Sequence, residues 1–290
     1  MAHHHKLLGA ALLLPALLLL ALFTYYPALG TLWDSFYSTP RNTRPAVFVG
    51  MDQFATLMDD PVFWQALYNN IIYAVVTVPL SCVIALAMAL IVNAGIRAQG
   101  LVRAAYFIPT ILPMVAVADV WLFFYAPDYG LLDSALAVFG IQGKNWTGDP
   151  STALGAIMAV TVWKEAGLFM IFYLAALQQI PTNLVEAAKL EGANAWQRLY
   201  KVVLPLIMPT TLFVVINATI NAIRMVDHVF IMTKGGPDNA SVLLLYYIYR
   251  VAFMYWDTGY GAAVSVVVLA TLAIIAIFQF VFADKRIHYR

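Results

Sequence analysis

Residues 71–94 read IIYAVVTVPLSCVIALAMALIVNA, a run that contains no charged side chain. About 20 mostly apolar residues in a helix are enough to cross the hydrocarbon core of a bilayer. The rest of the chain has the same character, since 63% of its 290 residues are hydrophobic and 11% are charged. An ordinary soluble domain carries about 25% charged residues, with which it covers its core. The composition therefore predicts an all-α integral membrane protein.

Further apolar runs of similar length predict the number of spans. They lie at 7–26, 102–126, 153–176, 204–223 and 262–282. Together with 71–94 they predict six transmembrane helices in a single domain that covers residues 1–290. The first run is longer than the apolar part of a signal peptide and lacks a small-residue cleavage site, so we expect it to remain as an anchor. Pro109 and Pro113 predict a bend within the third span, because proline frees backbone carbonyls of a helix.

The basic residues predict the orientation of the spans. An even number of spans places both termini on one side, together with the loops that follow the second and fourth spans. That side carries Lys6, Arg97, Arg103, Lys189, Arg198, Lys201, Lys285, Arg286 and Arg290. The other side carries Arg41, Arg44, Lys144, Lys234 and Arg250. Lys and Arg are enriched in cytoplasmic loops, so we expect both termini to face the cytoplasm.

The composition and the missing motifs exclude several function classes. A net charge of +1 provides no basic surface for nucleic acid. The chain contains no G-x-x-x-x-G-K-[ST] loop, no H-E-x-x-H pair and no G-x-S-x-G turn, so it lacks the common nucleotide, zinc-hydrolase and serine-hydrolase signatures. A single cysteine, Cys82, excludes an internal disulfide framework. His228 stands alone at the end of a span, which is more typical of an interfacial residue than of a catalytic one.

The loop between the fourth and fifth spans carries two helix start signals. Asn183 with Glu186, and Asn194 with Gln197, have the spacing of a capping box, in which each side chain bonds the other's backbone amide. Gly192 between them fits the left-handed residue that ends a helix. The sequence therefore predicts two short helices joined by a tight turn outside the membrane.

An apolar ridge is expected on this helical loop. Ala187 and Ala188 have small side chains that leave one side of the loop without protruding groups. Trp196, Leu199 and Tyr200 have bulky side chains. One interpretation is a knob that docks into a groove on a partner protein. The other is an interfacial helix that lies on lipid headgroups, and the residue pattern alone leaves both open.

The same loop resembles a known family motif. Glu186-Ala187-Ala188 is followed after three residues by Gly192, and after nine more by Val202-x-Leu204-Pro205. This spacing resembles the EAA loop of permease subunits of bacterial ABC importers, with Val202 in place of the usual isoleucine. Softer matches to the sugar-importing branch, which includes maltose-permease-like and glycerol-phosphate-permease-like proteins, lie at 26–27, 48–50, 106–109, 175–181 and 234–237.

The resemblance implies a fold and a set of partners. It implies a type I ABC-importer permease of the bacterial inner membrane, whose coupling loop, residues 181–205, sits in a groove on a separate ATPase dimer. The ATPase carries ATP and Mg, and this chain needs no cofactor of its own. The implied coupling residues are Glu186, Ala187, Ala188, Gly192, Ala193, Leu204 and Pro205. A second homologous permease and an extracytoplasmic solute-binding protein complete the assembly, the latter docking near Gly235, Gly236 and Pro237. An ordinary Gly-Pro turn is the alternative there.

Polar residues within the predicted spans are candidates for the translocation pathway. They are Asp119, Trp163, Lys164, Glu165, Asn217 and Asn221. A charge at mid-bilayer costs about 2.5–3.5 kcal/mol on translocon scales, so it faces a cavity or a partner. Aromatic and amide groups suit a polyhydroxylated solute, although buried contacts between helices would explain the same residues. Lys164 and Glu165 are adjacent, so they point about 100° apart and cannot pair face to face.

Three functional hypotheses follow. The first is a channel-forming permease subunit of an ATP-driven importer for a sugar, polyol or glycerol-phosphate-type solute. The second is a stand-alone secondary transporter, which needs its own coupling-ion site and normally more spans. The third, a membrane enzyme, is disfavoured by the missing catalytic motifs.

Overall fold

The computed structural model describes residues 12–41 and 44–284. Apolar runs become helices in a membrane protein because the helix satisfies every backbone group within one segment. The helices are α1 Leu12–Asp34, α2 Asp52–Met58, α3 Pro61–Asn93, α4 Gln99–Ile111, α5 Met114–Phe124, α6 Leu131–Ala137, α7 Ala153–Gln178, α8 Thr182–Leu190, α9 Ala195–Arg198, α10 Met208–Arg224, α11 Asp227–Met232, α12 Leu244–Tyr249 and α13 Thr258–Asp284. In this part of the chain two isolated β-bridges, Tyr37 with Phe48 and Arg41 with Arg44, are the extended pairings.

The long helices agree with the predicted spans in number and differ in length. Five helices of the described chain are long and apolar enough to cross a membrane, or six if α4 and α5 form one broken span. The first span continues beyond Tyr26 to Asp34, and its predicted start at Leu7 lies outside the described residues. The second begins at Pro61 rather than at Ile71. Both helices therefore extend beyond their predicted apolar runs.

The third predicted span is not one straight helix. It consists of α4 and α5, whose axes differ by 102°. The break lies at Leu112 and Pro113, both of which are extended, with ψ near 139° and 141°. Proline disfavours the α conformation in the residue before it, so Pro113 ends α4. Pro109 is accommodated inside α4, and the bend expected from the two prolines therefore comes from Pro113.

The fifth predicted span also begins later than expected. Residues Leu204–Leu206 form a separate turn, and α10 starts at Met208 after a break at Ile207. Pro209 lies in the first turn of α10, where a missing amide hydrogen costs nothing. The predicted start at Leu204 falls in this separate turn, because a continuous apolar run conceals the break at Ile207.

The chain divides into two compact units, the first comprising residues 12–61 and 247–271 and the second residues 62–246 and 272–284. Helix α7 is the centre of the second unit, since 67% of its most apolar window is buried. Within that unit α4 packs against α7, and α5 packs against α11. The contact of α4 with α7 is close at Gly167, where an added Cβ would lie 2.1 Å from the Tyr106 carbonyl oxygen.

Candidate functional site

The coupling loop is a compact pair of helices with an exposed outer side. Helix α8 ends at Leu190, whose side chain is 90% exposed. Gly192 follows with φ of +85°, a left-handed conformation that glycine adopts without strain. The backbone amides of Gly192 and Ala193 return to the carbonyls of Lys189 and Ala188. The tight turn expected at Gly192 is therefore present.

The second helix of the loop starts with the expected capping box. The Asn194 side chain accepts from the Gln197 amide at 2.8 Å, and the Gln197 side chain accepts from the Asn194 amide at 2.8 Å. The Arg198 guanidinium donates to the Ala193 carbonyl at 2.7 Å, which ties the helix to the turn. A π-helical turn, Leu199–Val203, leads to Leu204 and Pro205. All three side-chain bonds join residues of the loop itself.

The first capping box differs from the prediction. Helix α8 begins at Thr182 with Pro181 as its N-cap, and no side chain caps its start. Asn183 consequently lies inside the first turn, where its side chain cannot reach the orphan amide groups. The Glu186 carboxylate is exposed and makes no hydrogen bond with the described residues. It remains available for an external contact.

The exposed side of the loop is apolar at its edges. Trp196 is 78% exposed and Tyr200 is 73% exposed. On α8, Ala187 is exposed and Ala188 is half-buried. Behind the loop, a cavity of about 320 Å³ is lined by Leu90, Leu177, Val185, Glu186 and Val203, among others. The loop thus presents a shaped surface that the described chain leaves uncovered.

Lys164 lies at the break between α4 and α5. Its Nζ donates to the carbonyl oxygens of Pro109 at 3.1 Å, Thr110 at 3.2 Å and Leu112 at 2.6 Å. The Thr110 hydroxyl donates back to the Lys164 carbonyl at 3.1 Å. A helix ending inside the membrane leaves carbonyls without partners, and an ammonium group with three donors satisfies them. The side chain is buried and directed at the broken helix.

Glu165 points in another direction, towards α10. It is buried, and its Oε1 accepts from the Asn221 amide group at 2.9 Å. Asn217, four residues earlier on α10, donates to the Phe213 carbonyl of its own helix at 2.8 Å. The structure therefore brings Glu165 and Asn221 together, whereas Asn217 is half-buried and bonded within its own helix.

The remaining pathway candidates lie on the exposed side of this region. Trp163 is partly exposed, and its ring meets that of Trp121 edge to face with centroids 5.6 Å apart. The indole Nε1 of Trp121 is buried and has no hydrogen-bond partner in the described structure. Asp119 is exposed and forms no hydrogen bond with the described residues. An aromatic pair and an unused donor are thus adjacent to the polar contacts of α7.

One buried polar cluster was not expected from the sequence. The Tyr73 hydroxyl lies 2.6 Å from the Thr161 hydroxyl and 2.9 Å from Nε2 of His228. His228 is fully buried, so its expected interfacial position was wrong. The cluster links α3, α7 and α11, whose residues lie far apart in the chain, and no local pattern could have found it.

The segment proposed as a dock is a well-packed turn. Gly235 has φ of +76°, and a Cβ there would lie 2.9 Å from the Tyr246 ring. The Ser241 hydroxyl donates to the Gly236 carbonyl at 2.6 Å. Gly236 and Pro237 are half-buried, so the turn is fixed in position and accessible in part.

Known proteins share this sequence and fold. A family model described as "binding-protein-dependent transport system inner membrane component" matches residues 63–288. A lactose transport system permease protein of Rhizobium radiobacter is 36% identical, over 94% of this chain and 92% of that protein. A sulfoquinovosyl glycerol transport system permease protein of Agrobacterium fabrum is 33% identical, over 91% and 86%. A chain in the crystal structure of a bacterial ABC transporter involved in the import of the acidic polysaccharide alginate superposes with a TM-score of 0.85, at 22% identity, over 97% of this chain and 96% of that one.

These similarities decide between the hypotheses drawn from the sequence. The fold is that of a type I ABC-importer permease, and ATP hydrolysis resides on a separate subunit. The stand-alone secondary transporter and the membrane enzyme are not supported. The chain belongs to the family of binding-protein-dependent transport system inner membrane components, as a multi-pass permease subunit of an ABC importer.

Proposed function

We propose that this chain forms, with a second homologous permease, the translocation pathway for a sugar, polyol or glycerol-phosphate-type solute. The solute class is supported by the relatives, which are permease proteins of lactose and sulfoquinovosyl glycerol transport systems. The observation that carries the mechanism is the coupling loop, because its two short helices expose a surface that the described chain does not cover. In this proposal the second permease completes a pathway that one chain is too small to enclose.

The coupling loop transmits the movement of the ATPase to the spans. Glu186 is the polar contact, and the small Ala187 and Ala188 let the partner approach closely. Gly192 and Ala193 hold the turn between the two helices, while Leu204 and Pro205 connect the loop to α10. ATP and Mg bind to the partner ATPase dimer, and this chain supplies no cofactor. The apolar ridge supports docking into a protein groove, which buries it from water.

The pathway itself is formed by polar and aromatic groups around α7. Glu165 with Asn221, and Asn217 one turn away on α10, provide acceptors and donors for solute hydroxyls. Trp163 and Asp119 extend this surface, and the unused Trp121 Nε1 adds a donor. Lys164 acts indirectly, because its three carbonyl contacts occupy all of its donors and hold the broken span in shape.

The proposed orientation places both termini in the cytoplasm. The coupling loop then faces the ATPase, and the turn at Gly235, Gly236 and Pro237 faces the extracytoplasmic solute-binding protein. The excess of Lys and Arg on the terminal side supports this orientation.

The composition of the assembly is tested by affinity purification of this chain from native membrane in mild detergent, followed by mass spectrometry. We expect a second permease and an ATPase with a Walker motif to be recovered with it. Recovery of this chain alone, or as its own homo-oligomer, would contradict the proposed heteromeric assembly.

The coupling role is tested in the assembled transporter by Gly192→Asp and Glu186→Lys. We expect solute-stimulated ATP hydrolysis and uptake to fall together, at normal protein levels. Gly95→Asp is a matched control, because Gly95 also has positive φ, at +74°, and also has open space around its Cβ. If the two coupling-loop variants retained both activities, the assignment of the loop would be wrong.

A further inference from the structure

A cavity lies beside the hairpin that follows the first span. It has a volume of about 380 Å³, and its lining includes Thr39, Arg41, Arg44, Gln53 and Asp257. All of these residues belong to the first compact unit. Two guanidinium groups and one carboxylate in one small cavity form an unusual concentration of charge for a chain in which 11% of residues are charged.

The two arginines form a cross-strand pair. The Arg41 amide donates to the Arg44 carbonyl at 3.1 Å, and the Arg44 amide donates to the Arg41 carbonyl at 2.7 Å. Residues that exchange both backbone bonds in this way project their side chains from the same face of an antiparallel ribbon. Like charges directly opposite each other destabilise such a pair. An anion bound between the two guanidinium groups would replace this repulsion with attraction.

The described residues do not supply this anion. Neither guanidinium forms an ion pair or a side-chain hydrogen bond with them, and both arginines are exposed. The Asp257 carboxylate in the same cavity is already engaged, since its Oδ1 accepts from the Thr39 hydroxyl at 2.5 Å and from the Tyr260 amide at 3.2 Å. The Gly259 amide donates to the same Thr39 hydroxyl at 2.9 Å, which fixes its position.

The charge balance of the cavity indicates which kind of anion would bind there. Two guanidinium groups and the Asp257 carboxylate leave one positive charge, which a single carboxylate would neutralise. The planar guanidinium fork binds a carboxylate through two parallel hydrogen bonds. An exposed ion pair contributes only about 0–1 kcal/mol, which is too little to hold a small free anion. The contact is therefore useful as one part of a larger protein surface.

We propose that Arg41 and Arg44 receive an acidic side chain of the extracytoplasmic solute-binding protein. This inference rests on the proposed orientation, which places the hairpin on the outer side, and it adds a second contact region to the turn at residues 235–237. The family is defined by its dependence on a binding protein, so this partner is expected on that side. Electrostatic contacts of this kind select the partner and its docking orientation.

Photo-crosslinking identifies the occupant. A photoreactive amino acid is placed at Val47, which lines the cavity and is exposed, in the complete importer in proteoliposomes. We expect a crosslink to the loaded solute-binding protein of the same system, and we expect Arg41→Glu with Arg44→Glu to reduce its yield. Crosslinking to lipid alone would overturn the proposal, because it would make the pair a site for phosphate headgroups.

Titration of uptake with the solute-binding protein measures the contribution of the pair. For Arg41→Glu with Arg44→Glu we expect the half-saturating concentration to rise about tenfold or more at low salt, with a smaller difference at high salt. Arg44→Glu alone is compared with Lys144→Glu, an exposed residue with the same charge change, for which we expect a small effect. Superimposable curves for the wild type and the double variant would overturn the inference alone. A wild-type importer that does not respond to the binding protein would instead overturn the proposed function, and the inference with it.

Discussion

Lys164 shows how a single buried charge supports an irregular span. Its ammonium group meets three backbone carbonyls near the break between α4 and α5. Those carbonyls have no helical partner, and no water is present in the hydrocarbon to replace one. The charge therefore stabilises the bend, because the free energy that its burial costs is offset by three hydrogen bonds that nothing else in the span provides.

Lys164→Met tests this role. The substituted side chain has a similar length but no donor, so several buried carbonyls lose a partner. We expect the free energy of unfolding to fall by about 2 kcal/mol and the thermal midpoint of the purified transporter by about 6 °C. Lys144→Met removes an exposed ammonium group and should leave the midpoint unchanged. An equal midpoint for wild type and Lys164→Met would show that the carbonyl contacts do not stabilise the bend.

Sequence reasoning at the residue scale located the buried charges but could not name their partners. The 100° angle between successive helical residues correctly indicated that Lys164 and Glu165 face different neighbours. Lys164 contacts the end of α4, and Glu165 contacts Asn221 on α10. These contacts join residues more than 50 positions apart, and only the packing of the helices decides them. The burial of His228 against Tyr73 escaped prediction for the same reason.

At the scale of elements, a glycine sets the distance between α4 and α7. An added Cβ at Gly167 would lie 2.1 Å from the Tyr106 carbonyl oxygen, which is backbone and cannot rotate away. Gly167→Ala should therefore force the helices apart and cost about 1–3 kcal/mol. Gly155→Ala, in the same helix, adds a methyl group where nothing lies within 4 Å and serves as the control. Thermal midpoints of the two purified variants give the comparison, and equal values would contradict the close packing.

The capping box of α9 provides a second prediction at this scale. Asn194→Ala removes the acceptor that holds the Gln197 amide, and the loss of such a cap costs about 1 kcal/mol. We expect amide hydrogen exchange in residues 195–198 to accelerate about fivefold. Asn183→Ala makes the same chemical change on α8, where no side chain caps the helix, and should not accelerate exchange there. Unchanged exchange in Asn194→Ala would show that the loop is held by other contacts.

The comparison of the two capping signals explains what local sequence can predict. Both pairs have the correct spacing, and only the second forms a cap. In the first case Pro181 fixes the start of α8 at Thr182, which moves Asn183 into the helix.

The bend of the third span was expected from two prolines, but the expectation did not distinguish Pro113, which ends a helix, from Pro109, which lies inside one. The spacing of residues predicts that a helix is present more reliably than it predicts at which residue the helix begins.

For the whole molecule, the long apolar helices differ widely in how much of their surface the chain itself buries. Two thirds of the most apolar window of α7 is buried, whereas none of that of α1 and 28% of that of α13 is buried. Composition alone predicted the membrane class and the approximate number of spans, because each run is long and mostly apolar. Burial of individual helices depends on neighbours within and outside the chain, and hydropathy does not report it.

The orientation of the whole molecule in the membrane can be measured by labelling single introduced cysteines, because the chain has only one cysteine of its own. Cys82 is the single cysteine and is buried, so Cys82→Ser gives a cysteine-free background with little change in side-chain volume. A membrane-impermeant maleimide applied to intact spheroplasts should label Lys144→Cys, on the proposed outer side. It should label Lys189→Cys, in the coupling loop, only in inverted vesicles or after permeabilisation. Both positions are exposed, so a difference in labelling reports the side of the membrane rather than burial. Labelling of Lys189→Cys in intact spheroplasts, with Lys144→Cys protected, would reverse the orientation. It would place the coupling loop where no ATP-hydrolysing subunit can reach it.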